Sequence, residues 1–263
     1  MTTKRKRRAH RSKIFYFPDV HLPFEDKAAL AAAENLCRHV KPDLIVILGD
    51  LLDCYAVSRY DKDPKRTVSL QQEIDQGTAF LRRLRADHPE AEIVYKEGNH
   101  EERLQKFLWS KAPALASLRC MELSDLLELD ELDIRYVKAA ERYSLGALTV
   151  THGHVVRTGS GNSARGEMVK RQSSGISGHT HRLGHVMHTS GNGTVGWVEA
   201  GCLCSFEADY IGDYAPDWQH GCVVGHQITA HDIDRIDLQI VPIINGVAHY
   251  QGDLITAEGV LTA

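Results

Sequence analysis

The sequence predicts an α/β fold on three observations. Residues 14–100 alternate apolar runs with amphipathic helical stretches. The second half is a series of short β-patterned runs divided by Gly-rich turns. Five of the apolar runs stop at tight groups of Asp, Asn and His.

The first strand is "KIFYFPDVH", a short buried run ending in polar residues. "EDKAALAAAENLCRHV" follows as a helix, with Leu30, Ala33, Cys37 and Val40 at helical spacing and Asp26 placed to cap its start. "PDLIVILGDLLD" is a continuous strand that stops at Gly49, which completes one strand-helix-strand unit. After the loop "CYAVSRYDKDPKRTV", a second helix starts near Ser69. Gln72 three residues on makes a capping box, and Leu70, Ile74, Leu81 and Leu84 form the apolar stripe. "AEIVYKEGNH" is the third strand, and the repeated pattern predicts a parallel sheet. Residues 101–131 read as a helical insert, with Leu104, Phe107 and Leu108 on one face and Pro113 as a breaker. Beyond Asp133 come "IRYV", "GALTVTHGH", "GISGHTH", "GHVMHTS", "TVGWVEAGCLC", "GCVVGHQIT" and "RIDLQIVPII" as short strands.

Composition narrows the class. At 263 residues one domain can bury a sizeable core, and 43% apolar with 25% charged residues excludes disorder as the default. No apolar run approaches bilayer length, and "MTTKRKRRAHRSK" lacks the hydrophobic segment of a secretory signal. A cytoplasmic protein without a membrane partner is expected. The six cysteines are scattered, with no CxxC pair, and read as reduced core thiols. Cys202 and Cys204 share a strand face, but the sequence around them offers too few partners for a thiolate metal site.

Charge is uneven. Residues 1–13 hold seven Lys or Arg and no acid, leaving 24 basic against 35 acidic residues in the remainder. We therefore expect a disordered basic arm over 1–13 and a single domain over 14–263. Such an arm either binds nucleic acid through its phosphates or is a solvated tail.

The polar groups gather where strands stop. The tips are "PDVH" (Asp19, His21), "GDLLD" (Asp50, Asp53), "GNHE" (Asn99, His100, Glu101), "THGH" (His152, His154) and "GHTH" (His179, His181). In open α/β sheets the carboxyl ends of strands converge over one crevice. Asp19 and His21 are two apart in extended chain and leave the same face, as are His179 and His181. Singly, a D-x-H or G-N-H is a turn or cap. Five together, one per strand end, would bury unpaired polarity that no fold gains from. Imidazole, carboxylate and one carboxamide oxygen suit Mn, Fe(II), Zn or Ni. Asp19, His21, Asp50, Asn99, His152, His179 and His181 are seven candidate ligands, too many for one tetrahedral ion and enough for two sharing a carboxylate. Such an ion pair clamps a phosphoryl group and activates water.

These motifs resemble the signature of the calcineurin-like metallophosphoesterases, D-x-H, G-D-x-x-D, G-N-H-[DE], H-G and G-H-x-H, with every element present over residues 14–204. The resemblance implies a four-layer αββα sandwich with two mixed β-sheets flanked by helices. It implies one metal held by Asp19, His21, Asp50 and His181, and another by Asp50, Asn99, His152 and His179, with Asp50 bridging. His100 would contact the phosphoryl group and protonate the leaving group, oriented by Asp53 or Glu101, which are otherwise plain supporting or capping carboxylates. In "THGH" either imidazole could face the metal, although the family pattern places the ligand at His152. His185 and His188 belong on an exposed strand face.

The expected function is metal-dependent phosphoester hydrolysis, by a phosphodiesterase or phosphatase with two divalent ions, manganese first and Fe, Zn or Ni as alternatives. The alternatives in activity are a repair-type DNA exo- or endonuclease and a non-catalytic scaffold that uses its metal face. Substrate choice is expected to depend on Tyr55, Arg59 and Tyr60 after the bridging aspartate, on the insert over 101–131, and on Tyr210, Tyr214 and Trp218. The expected substrate is a nucleotide-like or small phosphodiester.

Overall fold

A computed structural model describes residues 10–207, 216–230 and 233–261, the side chains at 10, 230, 233 and 234 excepted. The arm's residues 1–9, with Tyr210 and Tyr214, lie outside them.

The parallel core of the first sheet is the anticipated alternation. β1 (His10–Phe17), β2 (Leu44–Ile47), β3 (Glu92–Lys96) and β4 (Ile134–Val137) pair in parallel, with α1 (Lys27–Val40) and α2 (Leu70–Asp87) in the first two crossovers. Asp26 caps α1 by accepting from the Ala29 amide, and Ser69 with Gln72 closes a full capping box on α2. β1 begins at His10, so residues 10–13 belong to the sheet and not to the arm. The third crossover is less helical than expected: α3 (Glu102–Lys111) stops before Pro113, a 3-10 turn covers Arg119–Met121, and α4 (Leu123–Leu126) is a single turn. Within α3, Leu104 and Leu108 are buried while Phe107 is exposed.

The small sheet is built from β5 (Tyr143–Leu145), β6 (Leu148–Val150), β7 (Gly175–Ser177), β8 (Leu183–Ser190) and β9 (Gly193–Ala200), with α5 (Asn162–Arg171) between β6 and β7. Its spatial order is β5-β6-β7-β9-β8, parallel through β6-β7-β9 and antiparallel at both edges. The chain then returns to the large sheet as β10 (Gly221–Ala230), β11 (Ile233–Ile244), β12 (Val247–Tyr250), β13 (Asp253–Thr256) and β14 (Gly259–Leu261). These extend it antiparallel from β1 to nine strands.

Strand alternation sorts the core into layers. Phe15, Phe17, Ile45, Ile47, Ile93 and Tyr95 pack under the α1–α4 layer. Their neighbours Ile14, Tyr16, Val46 and Val94 face Val150, Ile176 and Val198 of the small sheet. α5 covers that sheet's far side, with Ala164 and Met168 against Trp197. The result is four layers, helix, mixed sheet, mixed sheet, helix. No helix among the described residues is long and apolar enough to cross a membrane.

Candidate metal centre

The carboxyl ends of β1, β2, β3, β6 and β7 point to one edge of the sandwich, and the five polar tips meet there. Asp19, His21, Asp50, His152 and His181 are all buried. His21 Nε2 lies 3.1 Å from His181 Nε2 and 3.7 Å from Asp50 Oδ2, and His181 Nε2 is 3.5 Å from Asp19 Oδ1. On the other side of Asp50, His152 Nε2 is 3.2 Å from Asp50 Oδ2, 3.0 Å from Asn99 Oδ1 and 3.2 Å from His179 Nδ1. The seven residues thus form two groups that share Asp50.

The hydrogen-bond accounting calls for a proton or a metal ion in the second group. His152 donates from Nδ1 to the Leu48 carbonyl at 2.8 Å, so its neutral ring turns a lone pair on Nε2 toward Asp50 and Asn99. Lone pairs facing one another without a proton between them repel, and either a proton or a metal ion relieves this. Burial by itself would lower the His152 pKa, yet the Asp50, Asp19 and Glu101 carboxylates outweigh it and raise it to about 9. His179 moves the other way, to about 4, through burial and then the neighbouring His152 charge. Asp50 is held well below the usual carboxylate range: burial opposes this, but His152, His100 and His21 prevail. The donor set fits divalent ions of borderline hardness.

Backbone geometry aims the ligands. His21, Asp50, His179 and His181 all have positive φ, at 55°, 50°, 72° and 59°. This conformation is uncommon for residues with a Cβ and clusters at functional sites. Asp19 accepts the His179 amide on both carboxylate oxygens, at 2.9 and 3.0 Å, which ties the β7 tip to the β1 tip. Thr180, between the two histidines, donates to the buried Glu199 at 2.8 Å.

The supporting carboxylates have distinct tasks. Asp53 Oδ1 accepts from His100 Nδ1 at 2.6 Å, so it is the one that orients His100. Asp53 is held below the usual range; burial opposes this, but the His100 and His21 contacts overcome it. The Glu101 carboxylate has other partners. It accepts from the amides of Asp50, Leu52 and Gly98 and from the Tyr95 hydroxyl, at 2.7–3.0 Å, and so fastens the Asp50 loop. Burial and then the Asp50 charge push Glu101 up to about 7, against these donors.

Two residues near the centre are not evident from the sequence. Arg103 donates to His100 Nε2 at 2.8 Å and to the Asp53 carbonyl at 2.8 Å, one helical turn beyond His100. Cys204 Sγ lies 3.7 Å from His181 Nδ1, and His21, His181 and Cys204 form a compact set that could hold an ion. Cys204 is a free, buried thiol as expected, and folding rather than chain proximity also brings it beside two candidate ligands. Only the i+3 spacing of Arg103 was a possible signal. His154 instead contacts Glu167 and Lys170 on α5, with its side chain 52% exposed. His185 and His188 are exposed on β8.

Comparison with known proteins points to one family. A family model described as calcineurin-like phosphoesterase matches residues 12–227. The Gene 54 proteins of Mycobacterium phages L5 and D29 are 29% and 30% identical over 247 residues, covering 89% of this chain and 94% of each relative. Among solved structures, Vps29 of Chaetomium thermophilum aligns with a TM-score of 0.43 at 12% identity, over 95% of this chain and 93% of its own. A dimetal phosphatase from Danio rerio aligns with a TM-score of 0.39 at 12% identity, over 87% and 98%.

Proposed function

The chain belongs to the calcineurin-like phosphoesterase family, and from that premise we propose that it hydrolyses phosphoesters at a centre of two divalent ions. The observation that carries this reading is the pair of lone-pair-rich groups sharing Asp50. Asp19, His21, Asp50 and His181 would hold one ion; Asp50, Asn99, His152 and His179 would hold the other. Manganese is our first choice, with Fe, Zn or Ni compatible with the same donors. When bound, the ions supply positive charge where a phosphoryl group gains negative charge, and acidify water.

The protein's own residues do the rest. His100 reaches the cavity in front of the centre, which is about 760 Å3 in volume, and is the proposed proton donor to the leaving oxygen. Asp53 fixes its ring by accepting a hydrogen bond from Nδ1. Arg103 donates to Nε2, so donation by His100 requires that guanidinium to turn away, toward a phosphoryl oxygen in the cavity, and Nε2 to take up a proton from solvent first. Glu101 acts at one remove, by holding the backbone that presents Asp50. The free cysteines support a reducing, cytoplasmic setting.

The test is metal-free protein reloaded with manganese, then with zinc or nickel, and assayed on p-nitrophenyl phosphate and bis(p-nitrophenyl) phosphate. Two ions per chain and metal-dependent turnover of at least one ester are expected. Hydrolysis that persists without divalent metal, or a chain that binds none, would refute the proposal.

A further inference from the structure

Two cavities open onto the candidate centre, and both are walled by Asn99 and His179. The first is about 760 Å3 and the second about 870 Å3. Each is of a size that takes a small organic group, roughly 300–1,000 Å3. A phosphomonoester has a single organic arm and would need one of them. A diester has two arms.

The two cavities differ in chemistry. The first holds His100 and Arg103 together with Tyr55, Tyr60 and Trp218, and Tyr60 is 63% exposed beside the Arg59 guanidinium. Such faces suit stacking of a planar base. The second is lined by charge. Its Glu97 carboxylate is taken by the Ala139 amide, Glu102 by Lys106, and Arg171 by Glu167. Lys96 is spent on the carbonyls of Lys138, Ala139 and Glu141. Arg142 and Lys170, the latter donating to His154 Nε2, stand at this cavity beside Glu141 as cations that can reach a sugar-phosphate backbone.

We propose that the centre takes a phosphodiester carrying a nucleoside on each side of phosphorus. The leaving nucleoside lies in the aromatic cavity beside His100, and the retained one lies across the Asn99 and His179 wall, against Arg142 and Lys170. This rests on the phosphoesterase reading above and adds the substrate class. In the reaction the water oxygen bonds to phosphorus and the P–O bond to the leaving nucleoside breaks. One water proton ends on the leaving oxygen and the other on the phosphomonoester product or solvent.

Esters that share one leaving group isolate the retained arm: p-nitrophenyl phosphate, methyl p-nitrophenyl phosphate, and thymidine 5′- or 3′-(p-nitrophenyl phosphate), assayed with the full-length, metal-loaded protein. We expect kcat/KM for one thymidine diester to exceed that for the methyl diester by about tenfold or more. The double variant Arg142→Ala, Lys170→Ala should cut that ratio by at least about threefold, with circular dichroism showing the fold intact. Equal kcat/KM for methyl and thymidine diesters, or an unchanged ratio in the variant, would overturn the proposal while leaving the phosphoesterase reading standing. Failure to turn over any of these esters would remove both. On the leaving side, Tyr60→Ala should lower kcat/KM for thymidylyl-thymidine by about threefold or more, and no change would overturn the aromatic assignment.

Discussion

Gly178→Ala tests how closely the ligand loops are fitted together. A Cβ built on Gly178 falls 2.1 Å from Asp19 Oδ2, well inside the 3.0 Å that real Cβ contacts essentially never breach. Its φ lies outside the left-handed region, so alanine is conformationally acceptable and the effect is steric alone. Relief requires about 1 Å of movement by the Asp19 carboxylate or by the loop that carries His179 and His181, a displacement on the scale that costs about 100-fold in positioned chemistry. The two bonds from the His179 amide to Asp19 would be strained or lost with it. We expect overpacking to cost about 1–3 kcal/mol, a fall in Tm of about 5 °C, and affinity for the Asp19-bound ion to drop about 10–100-fold. Gly191→Ala is the control, because nothing lies within 4 Å of its added methyl. Titration with manganese, elemental analysis and thermal melts followed by circular dichroism read these effects. A Gly178→Ala protein that binds two ions with native affinity and melts with the wild type would refute the reasoning.

The other predictions follow from the same contacts. His100→Ala should retain both ions and lose about 10²–10⁴-fold in turnover; metal loss measured by elemental analysis would contradict its role as proton donor. Asp50→Asn should weaken both ions together by more than about tenfold, whereas loss of only one in a two-site titration would deny the bridge. Glu73 is fully buried, with Oε1 accepting from the Tyr55 amide and Oε2 without a partner. Burial, then the Asp53 charge, pushes it up from 4.5 to about 7. Because the folded pKa is raised, the native state holds this proton more tightly: its contribution is complete below about pH 4.5 and lost as pH rises through about 7. Glu73→Gln should therefore gain about 2 kcal/mol relative to wild type at pH 8 and little at pH 4.5. Urea denaturation at a series of pH values checks this, and parallel stability curves would exclude it.

Local signals carried much of the fold. The Asp26 cap, the Ser69 and Gln72 capping box and the continuous β-branched run of β2 are short-range features, and each marks its element. The convergence of the five tips was legible for a topological reason, since parallel strands with crossover helices must end on one side. α5 was not legible, because its buried side is made of Ser163, Ala164, Gly166, Glu167 and Met168 and presents almost no apolar stripe. β12–β14 were passed over because their runs are short and broken by Gly246, Gly252 and Gly259 in the left-handed region. Within the centre, composition could not separate Asp53 from Glu101; their tasks follow from which of them lies within reach of His100. Cys204 is 23 residues from His181 in the chain, and only the packed sheet edge brings them together.

The left-handed turn of His21, Asp50, His179 and His181 has an evolutionary reading. Relative to glycine, each such side chain costs roughly 1–2 kcal/mol in backbone energy. A lineage freed from hydrolysis could replace all four by glycine and drift toward a sturdier, metal-blind protein. On the proposed reading, the imidazoles and the carboxylate at these four corners hold the fold short of its own stability optimum in exchange for metal binding.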